Sequence, residues 1–151
     1  MAAISGMMRA AARRVRVARP DVRFLVAAFN DRQAAAARAA TATGSGRRPV
    51  EVHVGRTPEV IELADACVAV SGSVSLDPMY RAKPTAIVYR ANPVTAWLAQ
   101  RFFMKVPYIT LVNLLAGEEL FPEIVATRDE PEWIAGHVLG WLNNPVRRLG
   151  L

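Results

Sequence analysis

The sequence predicts an α/β fold with a parallel sheet covered on both faces, because short apolar segments alternate with segments of helical character. Five segments have the composition of buried strands. They cover residues 23–29 (RFLVAAF), 50–54 (VEVHV), 67–71 (CVAVS), 84–89 (PTAIVY) and 107–112 (PYITLV). Helix-start signals stand between them, the clearest being Thr57-Pro58-Glu59, which joins a capping residue, a proline and an acidic first turn.

Helices are predicted to connect these strands. Residues 1–19 form an amphipathic helix, with Ile4, Met8, Ala11, Val15 and Ala18 on one face and Arg9, Arg13 and Arg16 on another. Asn30-Asp31 predicts the start of an alanine-rich helix that ends near residue 40. Further helices are expected over residues 57–65, 94–105 and 131–142, and residues 143–151 are expected to be a loose tail.

Size and composition exclude several classes of protein. A chain of 151 residues that is 52% hydrophobic and 21% charged can build one domain with its own core, and it is not intrinsically disordered. No apolar run reaches the ~18 residues of a membrane span. Cys67 lies inside an apolar run, so we interpret it as a small buried hydrophobe. One cysteine and two histidines predict neither a disulfide framework nor a metal site, which fits a reducing cytoplasm.

Positive charge is concentrated in two parts of the chain. Residues 1–50 contain ten arginines and two aspartates, for a net charge of +8, whereas residues 51–151 carry nine basic and eleven acidic residues, for −2. Residues 78–117 contain five basic residues and no acidic one. Such clusters indicate an anionic partner, although for the first block we favour a solvated arginine-rich face. The first twenty residues imitate a transit peptide, but the amphipathic helix is the simpler interpretation.

The third predicted strand stops abruptly at Ser71-Gly72-Ser73, where a helix-compatible segment begins. In a parallel sheet, such a turn presents N–H groups and hydroxyls that favour a phosphate, at the edge where these sheets bind ligands. An ordinary helix cap explains the same residues without a ligand. Asp77 can accept hydrogen bonds from ribose hydroxyls, and Asn113 offers both a donor and an acceptor. No catalytic triad, Asp-x-Asp metal motif or Walker loop accompanies them.

The predicted helix over residues 94–105 has an unusual composition. Its basic residues, Arg101 and Lys105, fall among apolar ones, including Trp97 and Phe102, while other apolar residues point the opposite way. One apolar side can pack on the sheet. The other either lies at a lipid interface beside the two cations or is buried against another domain.

Nine short motifs together make the chain resemble the carboxyl-terminal part of the lipid-A-disaccharide synthases, a family of GT-B-type glycosyltransferases. The motifs are Gly55-Arg56-Thr57-Pro58-Glu59, Ala64-Asp65-Ala66, Ser71-Gly72-Ser73-Val74-Ser75-Leu76, Lys83-Pro84, Tyr89-Arg90, Trp97-Leu98, Pro107-Tyr108-Ile109, Asn113-Leu114-Leu115-Ala116-Gly117 and Pro122-Glu123. The resemblance covers roughly residues 20–141. Each motif is weak alone, but their order and spacing are specific together.

This resemblance implies a Rossmann-like, UDP-sugar-binding half of a GT-B enzyme. The implied reaction transfers a diacylglucosaminyl group from UDP to lipid X, with inversion at the anomeric centre and without a protein-bound metal ion or other cofactor. It takes place at the cytoplasmic face of the inner membrane of a Gram-negative-type bacterium. The implied partners are UDP-diacylglucosamine, lipid X and the membrane surface, with no nucleic acid expected.

The resemblance also implies roles for particular residues. Ser71, Gly72, Ser73, Val74 and Ser75 match the turn that faces the nucleotide's phosphates, Asp77 matches the ribose contact, and Asn113 matches an asparagine at the cleft between domains. Candidate cleft residues in the matched motifs are Arg56, Tyr89, Arg90, Leu114 and Glu123. Candidate membrane contacts are Trp97, Arg101, Phe102 and Lys105. No catalytic residue is expected here, because the family's proposed catalytic Asp belongs to its first domain.

Four departures from the family pattern matter. Asp77 replaces the usual Glu and is one methylene shorter, Pro78 removes an N–H from the following helix, and Glu118 stands where the family often has Arg. The fourth is an absence, because the family's second domain opens with a central strand and a Gly-Ser-Arg turn that this chain does not match. We therefore expect residues 23–29 either to pair with residues 67–71 or to leave a gap open to a partner.

The resulting prediction is part of a lipid-A-disaccharide synthase that is inactive alone. Residues 1–19 are the arginine-rich helix, residues 20–142 the partial UDP-sugar-binding domain, and residues 143–151 the tail. A separate amino-terminal half or a dimer partner would supply the missing groups. The alternative is a non-catalytic α/β module that binds anionic lipid or nucleic acid through its basic surface.

Overall fold

The structure is a computed structural model that describes residues 2–42, 50–70, 74–91 and 108–144. Helices and strands alternate along these residues. The helices are α1 (Ala2–Ala18), α2 (Asp31–Thr41), α3 (Thr57–Leu63), α4 (Leu76–Tyr80), α5 (Leu111–Ala116) and α6 (Pro131–Asn143), and the strands are β1 (Leu25–Ala28), β2 (Glu51–Val54), β3 (Cys67–Ala69), β4 (Thr85–Arg90) and β5 (Glu123–Ala126). The predicted α/β class is confirmed.

All strand pairs in the described residues are parallel, and they form two separate sheets. One sheet pairs β1 with β2, and the other has the order β3-β4-β5. The structure thus shows the gap that was one of the two predicted arrangements, because β1 does not pair with β3. Residues 2–18 are helical and contribute no strand to either sheet.

The three-stranded sheet is covered on both faces, as predicted. Val88 packs on one face in a cluster with Met7, Ala11, Ala126 and Ile134, which joins α1 and α6 to the strands. Its neighbour Ile87 points to the opposite face, because side chains alternate along a strand. There it forms a second cluster, with Val112 of α5 and Phe121. Among the site residues described below, Tyr89 and Glu123 lie on this second face, against which α5 packs.

Helix α1 packs against α6, and its buried face differs in detail from the predicted one. Ala11 and Val15 are buried as expected, but Met7 rather than Met8 is the fully buried methionine, and Ala18 is exposed. The side chain of Ile4 lies outside the described residues. Arg9 and Arg13 are exposed, and the guanidinium of Arg16 lies 5.0 Å from the ring centroid of Phe24.

The predicted fifth strand over residues 107–112 is wrong. Leu111 begins a helix instead, and the fifth strand is Glu123–Ala126. The reason is local, because the Thr110 hydroxyl caps this helix by accepting the Asn113 N–H, and Gly117 ends it in the left-handed conformation at φ 72°. A short apolar run does not distinguish a strand from a buried helical turn unless these caps are recognised.

None of the helices within the described residues has the length and apolar character that crossing a membrane requires. The predicted helix over residues 94–105, with Trp97, Arg101, Phe102 and Lys105, lies outside the described residues. Most of the predicted tail, from residue 145 onward, lies outside them as well.

Candidate functional site

The phosphate-facing turn predicted after β3 is described only in part. Ser71, Gly72 and Ser73 lie outside the described residues, whereas Val74 is exposed and Ser75 is fully buried in front of α4. Asp77 is an exposed residue in the first turn of α4, as the predicted ribose contact requires. Pro78 is accommodated because it is the third residue of this helix, where the backbone N–H has no partner within the helix.

Asn113 is held inside the protein rather than at its surface. Its side chain is fully buried on α5, and its Nδ2 donates to the carbonyl oxygen of Phe121 at 2.7 Å. Its Oδ1 accepts the N–H of the same residue at 2.9 Å. The oxygen and the nitrogen of the Asn113 amide therefore both bind the backbone of Phe121. These two bonds hold the segment between α5 and β5 against α5.

Glu123 is likewise engaged by the backbone. Its two carboxylate oxygens accept the N–H groups of Ile109 and Thr110, at 2.6 Å and 2.8 Å, in the turn that leads into α5. Tyr89 lies near this carboxylate on the same face of the sheet. Burial, and then the negative charge of Glu123, raises the pKa of the Tyr89 hydroxyl.

The remaining candidate cleft residues differ in how free their side chains are. Arg56 is exposed before α3 and makes a 3.8 Å ion pair with Glu59. Arg90 ends β4 and contacts the carboxylate of Asp129 at 2.5 Å. Leu114 is exposed on α5. The structure therefore gathers Tyr89, Asn113 and Glu123 around α5, while Arg56 lies outside this group.

Helices α3, α4 and α5 form a row, because α4 contacts both of its neighbours. The helix that carries Asp77 therefore contacts the helix that carries Asn113. Sequence reasoning missed the part played by Thr110, whose buried hydroxyl accepts the Asn113 N–H at 3.4 Å. The signal was present as a threonine three residues before the asparagine, with a glycine just after the helix.

The basic cluster predicted over residues 78–117 is partly paired where the structure describes it. Arg81 contacts the carboxylate of Glu62 at 2.6 Å, and the ammonium of Lys83 donates to the Glu62 backbone carbonyl at 2.7 Å. The Glu62 carboxylate, which comes from outside the cluster, offsets the charge of Arg81, whereas a backbone carbonyl leaves the charge of Lys83 in place.

The arginine-rich first block is also partly paired. Arg14 contacts Glu132, Arg19 contacts Asp21 at 2.9 Å, and Arg23 contacts Glu51 at 2.8 Å. The Arg14 pair joins α1 to α6 and the Arg23 pair reaches β2, whereas the Arg19 pair is local to the turn after α1. They agree with the solvated arginine-rich face that we favoured for this block.

Comparison with known proteins places the chain in a family. The family model described as lipid-A-disaccharide synthetase matches residues 5–148. A lipid-A-disaccharide synthase from Myxococcus xanthus (strain DK1622) is 37% identical over 130 residues, which are 85% of this chain and 33% of that protein. The enzyme of the same name from Thiobacillus denitrificans (strain ATCC 25259 / T1) is 34% identical over 145 residues, which are 96% of this chain and 38% of that protein. The chain thus spans about a third of the length of these relatives, and it belongs to the lipid-A-disaccharide synthase family.

Proposed function

We propose that this chain is the UDP-sugar-binding part of a lipid-A-disaccharide synthase, a hexosyltransferase. The whole enzyme would transfer a diacylglucosaminyl group from UDP to lipid X in lipid A biosynthesis. The observation that carries the proposal is the family match over residues 5–148, together with the names of the relatives. The parallel sheet supports it, because such sheets bind nucleotides beyond the carboxyl ends of their strands.

The donor's UDP would lie at the carboxyl end of β3. In this arrangement the turn from Ser71 to Ser75 faces the phosphates and Asp77 contacts the ribose. The exposure of Asp77 supports its role, since no described residue pairs with its carboxylate. The two ribose hydroxyls can each donate a hydrogen bond, and an ionised carboxylate without another partner can accept both. Helix α5, which Asn113 and Glu123 hold through backbone contacts, would form the neighbouring wall.

The remaining chemistry would come from groups that this chain does not contain. The relatives are about three times as long as the matched region. The family resemblance implies that the proposed catalytic Asp and much of the acceptor site would lie in their first domain. General base catalysis needs a group within hydrogen-bond reach of the attacking hydroxyl. We therefore expect the 151-residue chain to bind UDP but not to catalyse transfer by itself, and to act at the inner face of the inner membrane together with that missing part.

Binding of UDP tests the donor site directly. We expect UDP to raise the melting temperature of the chain, Asp77→Ala to weaken that effect, and Asp77→Glu to preserve it, because Glu is the residue usual in the family. Asp31→Ala provides a matched control, since Asp31 is an exposed aspartate in the first turn of α2, away from the site. If UDP does not stabilise the wild-type chain, or if Asp31→Ala weakens its effect as much as Asp77→Ala, the proposed site is wrong.

An assay of glucosaminyl transfer tests the division of labour. Turnover by the 151-residue chain alone, with UDP-diacylglucosamine and lipid X, would contradict the expectation that the catalytic groups lie elsewhere. Activity that appears only when the missing domain is supplied would support it. The measurement is the amount of radiolabelled disaccharide formed, which is determined by chromatography of the lipid products.

A non-catalytic module that binds anionic lipid or nucleic acid is the second candidate function. The net charge of +8 over residues 1–50 favours it. The ion pairs of Arg14, Arg19 and Arg23 reduce the charge that is available to a partner. Binding to anionic liposomes or nucleic acid that falls steeply with salt, without any effect of UDP, would favour this candidate over the synthase.

A further inference from the structure

Three buried or half-buried polar side chains hold α5 in place, and each does so by binding backbone. We call Thr110, Asn113 and Glu123 the α5 clamp. Glu123 accepts two N–H groups in front of the helix, Thr110 accepts one in its first turn, and Asn113 binds both polar groups of Phe121. These contacts fix α5 at its start and at the return of the chain to β5.

The clamp leaves little of Asn113 for a ligand. Its side chain has no exposed surface, and both its oxygen and its nitrogen already bond at short distances to Phe121. A ligand that replaced these bonds would leave the buried N–H or carbonyl of Phe121 without a partner, which is costly. The energetically favourable use of this amide is therefore the one that the structure shows.

The clamp is nevertheless placed to affect the neighbouring site. Helix α5 contacts α4, and α4 carries Asp77 in its first turn. Because the backbones of α4 and α5 lie close together, a displacement of α5 changes the space that is available to α4. A loosened clamp would let α5 shift and would change the position of Asp77.

We propose that Asn113 and Glu123 are positioning residues, which act on UDP binding through the placement of α5 and not by touching the nucleotide. This inference rests on the proposed function, because it takes UDP as the ligand of the site. It differs from the role that sequence resemblance implies for Asn113, which is a contact at the cleft. Thr110 belongs to the same device, since its residue is buried and its hydroxyl accepts the backbone N–H of Asn113.

The test compares variants by two measurements, the affinity for UDP by calorimetry and the hydrogen exchange of backbone amides. Asn113→Ala should speed exchange of the Phe121 amide about tenfold or more, and Glu123→Gln should do so for Ile109 and Thr110. Each should also weaken UDP binding about fivefold, the change that corresponds to the loss of roughly one hydrogen bond. Leu115→Ala, an exposed position on the same helix, should leave both measurements unchanged.

Thr110 separates positioning from direct contact. Thr110→Val removes the capping hydroxyl at nearly constant volume, and we expect it to weaken UDP binding as Asn113→Ala does, whereas Thr110→Ser should restore wild-type affinity. If Asn113→Ala weakens UDP binding while Thr110→Val and Glu123→Gln do not, Asn113 contacts the ligand and the proposal is wrong. Should Asn113→Ala fail to fold, the two Thr110 variants and Glu123→Gln decide the question.

The proposal and the proposed function can fail separately. If the wild-type chain binds no UDP, the function is wrong, whatever the exchange rates show. If the wild-type chain binds UDP and all clamp variants exchange faster without any loss of affinity, the clamp is purely structural and the positioning role is refuted.

Discussion

Replacement of Met7 by alanine tests whether α1 is part of the hydrophobic core. The Met7 side chain is fully buried where α1 meets α6, and its sulfur accepts the N–H of Glu130 at 3.4 Å. Truncation of a buried methionine costs ~2–5 kcal/mol, through lost burial and the cavity that remains. We expect ~3 kcal/mol, in the lower half of that range, because Ala11 and Ala126 present only a methyl group to the cluster.

The expected result is a lower melting temperature, measured by far-ultraviolet circular dichroism. For a domain of this size, ~3 kcal/mol corresponds to a fall of ~6–12 °C. Urea unfolding of the same variant should show a lower midpoint with an unchanged slope. The slope depends on the surface area that unfolding exposes, and the substitution should leave that area nearly the same.

Two matched variants make the result interpretable. Met7→Leu keeps the volume, so it should cost less than ~1.5 kcal/mol. Val17→Ala lies on the same helix at a side chain that is 79% exposed, and it should change stability by no more than ~0.5 kcal/mol. Equal effects of Met7→Ala and Val17→Ala would refute the packing of α1. An equal loss from Met7→Leu and Met7→Ala would assign the effect to the sulfur contact instead of the volume.

Three further predictions follow from local features. Gly117→Ala should lower the free energy of unfolding, measured in urea, by ~1–2 kcal/mol, because φ is 72° there and an L side chain rarely adopts that conformation. The cost is one of backbone conformation and not of a clash, since the added Cβ would meet no atom within 4 Å. Gly6→Ala in α1, where φ is not positive, should not destabilise the chain. Burial lowers the pKa of His137, against a smaller opposing effect of Glu119, so the unfolded chain binds the proton more readily; stability should therefore fall as the pH drops through the unfolded value of ~6.5, and His137→Gln should reduce that slope. Burial raises the pKa of Cys67 to about 11, so its reaction with a disulfide reagent at pH 8 should be slow in the folded chain and fast in urea, and fast reaction of the folded chain would contradict the burial.

Elements with strong local signals were predictable from the sequence. Helix α2 begins where Asn30-Asp31 predicted, and the Asn30 side chain accepts the N–H of Gln33 at 2.9 Å. The start of α6 at Pro131 was likewise predicted, from a proline suited to a first turn. In both cases the residue that signals the boundary also forms it, so no distant contact is needed.

Other features depended on tertiary contacts. Met7 and Met8 are adjacent and equally apolar, so helical periodicity does not decide which one is buried. That choice follows from where α6 lies against α1. The same is true of charge, because Glu62 neutralises Arg81 across 19 positions of sequence, and nothing local to Arg81 reveals it.

The predicted site illustrates a limit of motif resemblance. A matched motif identifies residues that matter to a family, but a residue can matter because it touches the ligand or because it holds the backbone that does. Asp77 and Asn113 were both predicted as contacts. The structure leaves Asp77 exposed and buries Asn113 against Phe121, so the two have different chemistry available to them. Sequence alone could not separate them, since an asparagine has the same hydrogen-bonding groups in either role.

The distinction changes how the family's other motifs should be interpreted. Glu123 comes from a second matched motif, and its carboxylate also binds backbone, at the N–H groups of the two residues just before α5. Asn113 and Glu123, which are ten positions apart and belong to two matched motifs, therefore both bind backbone at or beside one short helix. A helix of six residues gains little stability from its own hydrogen bonds, so it needs such external fixation to keep one position. On this argument, we propose that Asn113 and Glu123 keep α5 in place beside α4, and that the nucleotide contacts the turn before α4 and Asp77.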